Sequence, residues 1–221
     1  MKKTWLNGKT VIISGASSGI GLETARQLID GYGCSVIGIA QNIAKLTKAK
    51  ELLGSNFSYY SFDVKSEENW KNFRDNLLEK GIIPDILINN AGILPRFSRF
   101  EKYSDREIED VLRINFLSAV YAVRTLLPLI GQSKTPAVIN ISSSAALAPV
   151  RRKFPLYGEQ SRVKILYGVP ATRVERAVCR VCLSGICQNG YIQKSEQRYF
   201  GQQTDRALLQ SLRKNGAKAR P

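Results

Sequence analysis

The chain has 221 residues, 43% hydrophobic content, a formal net charge of +15, four cysteines and no histidine. That length and apolar share fit one sizeable core and a single domain, and no apolar run nears the roughly 20 residues of a membrane helix. The start, Met1-Lys-Lys-Thr-Trp-Leu, lacks the long apolar stretch and cleavage site of a secretory signal, so free thiols in a reducing cytoplasm are expected.

In chain order, Val11–Ser14 is a short apolar run that reads as a buried strand. It ends in a glycine-spaced turn, Gly15-Ala16-Ser17-Ser18-Gly19-Ile20-Gly21, which opens into a helical pattern over Gly19–Asp30. A strand, a tight turn and a free helix N-terminus together make a diphosphate cradle. Backbone N–H groups and the helix dipole face the negative charge, and glycine permits close approach. Further strand-like runs follow at Ser35–Ala40, Phe57–Phe62, Asp85–Asn89 and Ala137–Ser142. Helical patterns at Ile43–Leu53, Glu67–Lys80 and about Asp105 to Ile130 separate them. This alternation predicts an α/β fold, a Rossmann-type doubly wound parallel sheet with right-handed crossovers.

After Tyr157 the pattern fails. Residues 158–221 hold 12 Lys/Arg against 4 Asp/Glu, about half of the excess charge in under a third of the length. Cys179, Cys182 and Cys187 fall there too, and the stretch from Arg173 to Leu183 has the clean period of neither a helix nor a strand. The sheet is therefore expected to end at its fifth strand. Two parts result: a Rossmann domain over 1–157 and an atypical basic tail over 158–221, poorly packed or disordered. An apolar sheet edge left open makes such a chain marginally stable and prone to aggregate.

The first 157 residues resemble the classical short-chain dehydrogenase/reductase family, on several motifs in the right order. These are the glycine turn, with Ser14 where the family usually has Thr, then Asp63 after the third strand, Asn89-Asn90-Ala91-Gly92, Asn115 in Arg-Ile-Asn-Phe, Asn140-Ile-Ser-Ser-Ser, and Tyr157 in Leu-Tyr-Gly. The resemblance implies reversible hydride transfer between NAD(P)(H) and an alcohol/carbonyl pair. It places the cofactor on Gly15, Ser17, Ser18, Gly19, Ile20, Gly21, Gln41, Asp63, Val64, Asn90, Ala91 and Gly92, with Asp63 at the adenine ring. It makes Tyr157 the acid–base, a serine the carbonyl polariser and Asn115 the anchor of a proton-relay water. Position in the Asn140 segment favours Ser143, whereas Ser144 has the commoner spacing to Tyr157. NAD specificity usually needs a carboxylate after the second strand. Ala40-Gln41-Asn42 stands there, with Lys45 the nearest cation, which leans toward NADP.

One departure matters chemically. A phenol titrates near 10 and is a poor acid–base at neutral pH unless a cation stabilises the phenolate. The family supplies a lysine four residues after the tyrosine; this chain has Ser161, and Lys164 lies too far along a helix axis to replace it. A shift of reading frame around Gly158–Gln160 accounts for the whole tail. Back-translation from Gln160 and a one-base shift yields KAGLKFYMESLRLEL, and the codons for Val181 to Tyr191 yield SVYPGFVKTD. Restoring two bases turns YGEQ into YGASK, with lysine in the expected place. The competing reading is a genuine divergent C-terminus. On either reading, turnover is expected to be severely reduced, and a non-catalytic dinucleotide-binding protein is the alternative.

No metal site is expected, because the cysteines lack a fourth ligand and the chain has no histidine. The basic tail has few stacking aromatics and no recognition motif, so nucleic acid is not an expected partner; nor is a membrane. The partner is a small alcohol or carbonyl compound, of unspecified identity. Family subunits pair through helices near the active site, one of which falls in the tail, so the oligomeric state stays open.

Overall fold

The computed structural model describes residues 4–96, 98, 100–143 and the strand at 178–184. Six parallel strands form one sheet in the order β3-β2-β1-β4-β5-β6: β1 Thr10–Ser14, β2 Ser35–Ala40, β3 Phe57–Ser61, β4 Ile86–Asn89, β5 Ala137–Ser143 and β6 Val178–Ser184. The helices are α1 Gly19–Tyr32, α2 Ile43–Leu53, α3 Glu67–Glu79, α4 Asp105–Leu112 and α5 Ser118–Ile130. The doubly wound sheet expected from the alternation of patterns is thus present.

The central strands are apolar at consecutive positions because both of their faces are covered. Val11, Ile13, Ile86 and Ile88 pack with Ala25 and Leu28 of α1 and Leu46 and Ala49 of α2. Their neighbours Ile12 and Leu87 point the other way, against Trp70, Phe73 and Leu77 of α3 and Ala122, Leu126 and Ile130 of α5. Cys34 is a buried free thiol that donates to the Leu6 carbonyl at 3.2 Å.

Three features depart from the sequence reading. The long helical pattern from Asp105 is interrupted: Arg113–Leu117 is a π-helical turn between α4 and α5. The run Asp105–Ile130 is also long and apolar enough, by length and composition, to cross a bilayer. Here its α5 part is a core helix, with Ala122, Leu126 and Ile130 fully buried. Lastly, the sheet does not stop at five strands. Val178–Ser184 pairs in parallel with all of β5, from Ala137 opposite Val178 to Ser143 opposite Ser184. Valine, leucine and cysteine fill enough of those seven places to sustain a strand without strict alternation.

The order of strands reverses direction between β2 and β4 on either side of β1. In open α/β sheets the crevice at such a switch point, outside the carboxyl ends of the strands, receives ligands. The glycine turn leaves the sheet at that place.

Candidate active site

The turn after β1 is braced by two residues that bond across it. Ser14 is buried, and its Oγ accepts the backbone N–H groups of Asn90 and Ala91, each at 3.0 Å. In return Asn90 Nδ2 donates to the carbonyls of Ser14 and Gly15, at 2.9 and 3.3 Å. The carboxyl ends of β1 and β4 are thereby locked together.

Two glycines are required in this lock. Gly15 has φ of +71°, and a Cβ there would sit 2.9 Å from Asn90 Nδ2. At Gly21 a Cβ would lie 2.6 Å from the same nitrogen and closer still to the Gly15 carbonyl oxygen. The cradle admits backbone only. Helix α1 begins at Gly19 with no side-chain cap from Ser18 and no acidic residue in its first turn. By contrast, Asn42, Ser66 and Ser104 each cap the helix that follows them. A helix start with open N–H groups, set against a cradle that excludes side chains, suits a diphosphate, so the residues present fit a dinucleotide.

Asn115 lies in the π-helical turn, a distortion that often marks functional sites. Its side chain grips one backbone position from both sides: Nδ2 donates to the Ile93 carbonyl at 2.9 Å and Oδ1 accepts the Ile93 N–H at 2.8 Å. The Asn90–Gly92 segment is therefore pinned at one end by Ser14 and just past the other by Asn115. Further along the same loop, the Arg96 guanidinium bonds Glu107 Oε1 at 2.7 Å. Together with the N–H and hydroxyl of Ser104 it holds the Glu107 carboxyl down to about 2.

Asp63 follows β3 and accepts the Lys65 N–H on Oδ1 at 2.9 Å, while Trp70 Nε1 donates to the Val64 carbonyl at 3.0 Å. These bonds fix the turn that carries both residues. Gln41 is exposed beyond β2, and its carbonyl accepts from Ser61 Oγ at 3.1 Å. Asn42 caps Lys45 N at 3.0 Å, and Lys45 itself is exposed. Beneath these, Asn89 Nδ2 donates to Asn140 Oδ1 at 2.9 Å across the paired ends of β4 and β5.

The expected site residues thus divide. Gly15, Ser17, Ser18, Gly19, Ile20, Gly21, Gln41, Asp63, Val64, Asn90, Ala91, Gly92 and Asn115 lie on the carboxyl-end turns or on the helix beside them. Ser143 closes β5, and its backbone alone is described. Ser144, Tyr157, Ser161 and Lys164 lie outside the described residues. The bracing role of Ser14 was not read from sequence; its signal was a hydroxyl ending an apolar run. Lys65 and Asp110, which form an ion pair beside Asp63, were not singled out either.

Fold and cradle together define a protein of the doubly wound, dinucleotide-binding class. The family model for short chain dehydrogenase matches residues 9–158, and the chain belongs to that family. It is 31% identical over 137 residues to the NADPH-dependent pterin aldehyde reductase of Arabidopsis thaliana, covering 61% of this chain and 56% of that protein. It is 30% identical over 223 residues to 11-beta-hydroxysteroid dehydrogenase 1A of the same plant, covering 94% of this chain and 60% of the relative. Among solved structures, the 3-ketoacyl-(acyl-carrier-protein) reductase from Brucella melitensis, complexed with NADH, superposes with a TM-score of 0.75 at 20% identity. That match covers 81% of this chain and 76% of the other, and it shows the shared fold. The chain spans 55% to 66% of the length of the first curated relatives it matches.

Proposed function

We propose that this chain is built to bind NADP(H) or NAD(H) and to transfer a hydride between it and a small alcohol/carbonyl pair. The observation that carries this reading is the side-chain-free cradle of Gly15 and Gly21, braced by Ser14 and Asn90. A bound nicotinamide supplies or takes up the hydride. The chain's own groups hold the cofactor and handle the proton. Tyr157 gives its hydroxyl proton to the substrate oxygen in reduction and removes it in oxidation. Ser143 polarises that oxygen, with Ser144 the competing candidate, and Asn115 anchors the relay that reprotonates the tyrosine.

NADP is the favoured form. No carboxylate follows β2 to take a ribose 2′-hydroxyl or to repel a 2′-phosphate, and exposed Lys45 supplies positive charge in the first turn of α2. The substrate class is a small alcohol or carbonyl compound; the relatives' names run from a pterin aldehyde to a steroid and select no single one. Work in the cytoplasm agrees with a buried free thiol at Cys34.

Turnover in this chain is severely reduced, because Ser161 stands where the phenolate needs a cation. We read the tail from about residue 160 as out of frame, on a family match that stops at residue 158; the alignment with the plant 11-beta-hydroxysteroid dehydrogenase 1A runs on past that residue and favours the competing reading, a genuine divergent C-terminus. Sequencing the coding DNA across the Tyr157 codon tests the frame. The function is tested by measuring NADPH binding and carbonyl turnover on one preparation of this chain and one of a frame-restored chain carrying lysine at position 161. Saturable binding in both, with turnover in the restored chain alone, is expected. Comparable turnover in the two overturns the account of Ser161. Binding without turnover in either favours the non-catalytic dinucleotide-binding reading.

A further inference from the structure

The two carboxylate oxygens of Asp63 are treated differently. Oδ1 is taken by the Lys65 backbone N–H at 2.9 Å. Oδ2 lies 3.7 Å from the Lys65 ammonium, outside hydrogen-bond reach. That ammonium is bound instead to Oδ1 of Asp110, on α4, at 2.9 Å. Lys65 sits between two acids and is drawn off the first by the second. All three residues line an open groove of about 710 Å³ between the turn after β3 and helix α4, with Arg106 on its wall.

We propose that Lys65 is a positioning residue for adenine recognition. Held by Asp110, it steadies the Asp63 carboxylate while leaving Oδ2 free to accept a hydrogen bond from the exocyclic amine of the base. This inference rests on the dinucleotide reading above. Its physical content is a balance between two failures. Without the ammonium, Asp63 and Asp110 face each other as like charges, and Asp63 turns away from its acceptor pose. Without the Asp110 charge, the ammonium is released onto Asp63 and occupies the oxygen that the base requires. The same ion pair ties the adenine-side turn to the helix that leads into Asn115, joining the two ends of the cofactor site mechanically.

The probes are NADPH and its deamino analogue, in which hypoxanthine puts a carbonyl where adenine has the amine. Equilibrium binding is measured on the full chain and on Lys65→Met, Asp110→Asn and Lys65→Arg. These side chains are each about a third exposed, so the effect is set at about three- to fivefold. Lys65→Met and Asp110→Asn weaken NADPH binding by that factor, Lys65→Arg restores it, and no substitution weakens binding of the deamino analogue, whose carbonyl gains nothing from a free carboxylate oxygen. An equal loss for both nucleotides, or no change in Lys65→Met, overturns the positioning role and leaves the dinucleotide site standing. If the unsubstituted chain binds neither probe, the dinucleotide reading falls and this inference with it.

Discussion

Ser14 shows how much one hydroxyl decides. It is 2% exposed and is the shared acceptor of two backbone N–H groups, so its removal leaves both donors without their partner. A buried donor without a partner costs about 1–3 kcal/mol. Ser14→Ala is therefore expected to lower stability by about 2 kcal/mol and to loosen the cradle, weakening NADPH binding as well. Ser14→Thr keeps the oxygen, and the family's usual threonine at this place indicates that the added methyl is accommodated. Urea unfolding followed at constant slope separates the two variants. A Ser14→Ala chain with an unchanged midpoint would show that the brace is idle.

At the scale of elements, the sequence was legible where one signal controls each segment. Apolar runs located the first five strands to within a residue, and helix periodicity located α2 and α3 to within a residue at either end. Helix α1 runs two residues beyond the pattern because Gly33, at φ +63°, closes it through N–H bonds from Gly33 and Cys34 to Ile29 and Leu28. The π-helical turn at Arg113–Leu117 left no trace, since the apolar period passes through it unbroken. Its consequence is the grip of Asn115 on Ile93, which depends on a residue 22 positions away. The sixth strand is not legible in the sequence for a related reason: pairing with β5 places it, and its local pattern does not. The glycine turn and the family it belongs to are legible from residue type and order, whereas Lys65–Asp110 is not, because an ion pair between distant elements has no sequence signature. Asn115→Ala removes both bonds to Ile93 and frees the end of the Asn90–Gly92 segment. It is expected to cost about 1–2 kcal/mol and up to tenfold in NADPH affinity. Asn115→Asp is expected to fail as well, because a carboxylate accepts from the Ile93 N–H but repels its carbonyl. If Asn115→Asp behaves as the unsubstituted chain, the two-sided grip is not what positions the loop.

Across the whole molecule, the two edges of the sheet divide the work. The carboxyl edge carries the cradle, while the amino edge is fastened by Asp85. One Asp85 oxygen takes the Lys9 ammonium at 3.2 Å and Ser133 Oγ at 2.5 Å; the other takes the Thr10 N–H at 3.0 Å. Burial pushes this carboxyl up, but the bonds from Ser133, Thr10 and Lys9 outweigh it, leaving it below its ordinary 3.8. A carboxyl depressed on folding lends stability that is fully present above its unfolded value. That stability is lost as pH falls through the folded value. Asp85→Asn is therefore expected to be less stable at pH 7 by about 1–3 kcal/mol. The gap from the unsubstituted chain should hold at pH 5 and narrow steadily as the pH is lowered below about 3.8. NADPH affinity at pH 7 should stay the same, since the fastening and the cradle lie at opposite ends of the same strands. Urea midpoints at pH 7, 5 and 3, with nucleotide titrations at pH 7, decide it. A gap as wide at pH 3 as at pH 7 would assign the loss to packing, and a fall in affinity would mean that the two edges are mechanically coupled.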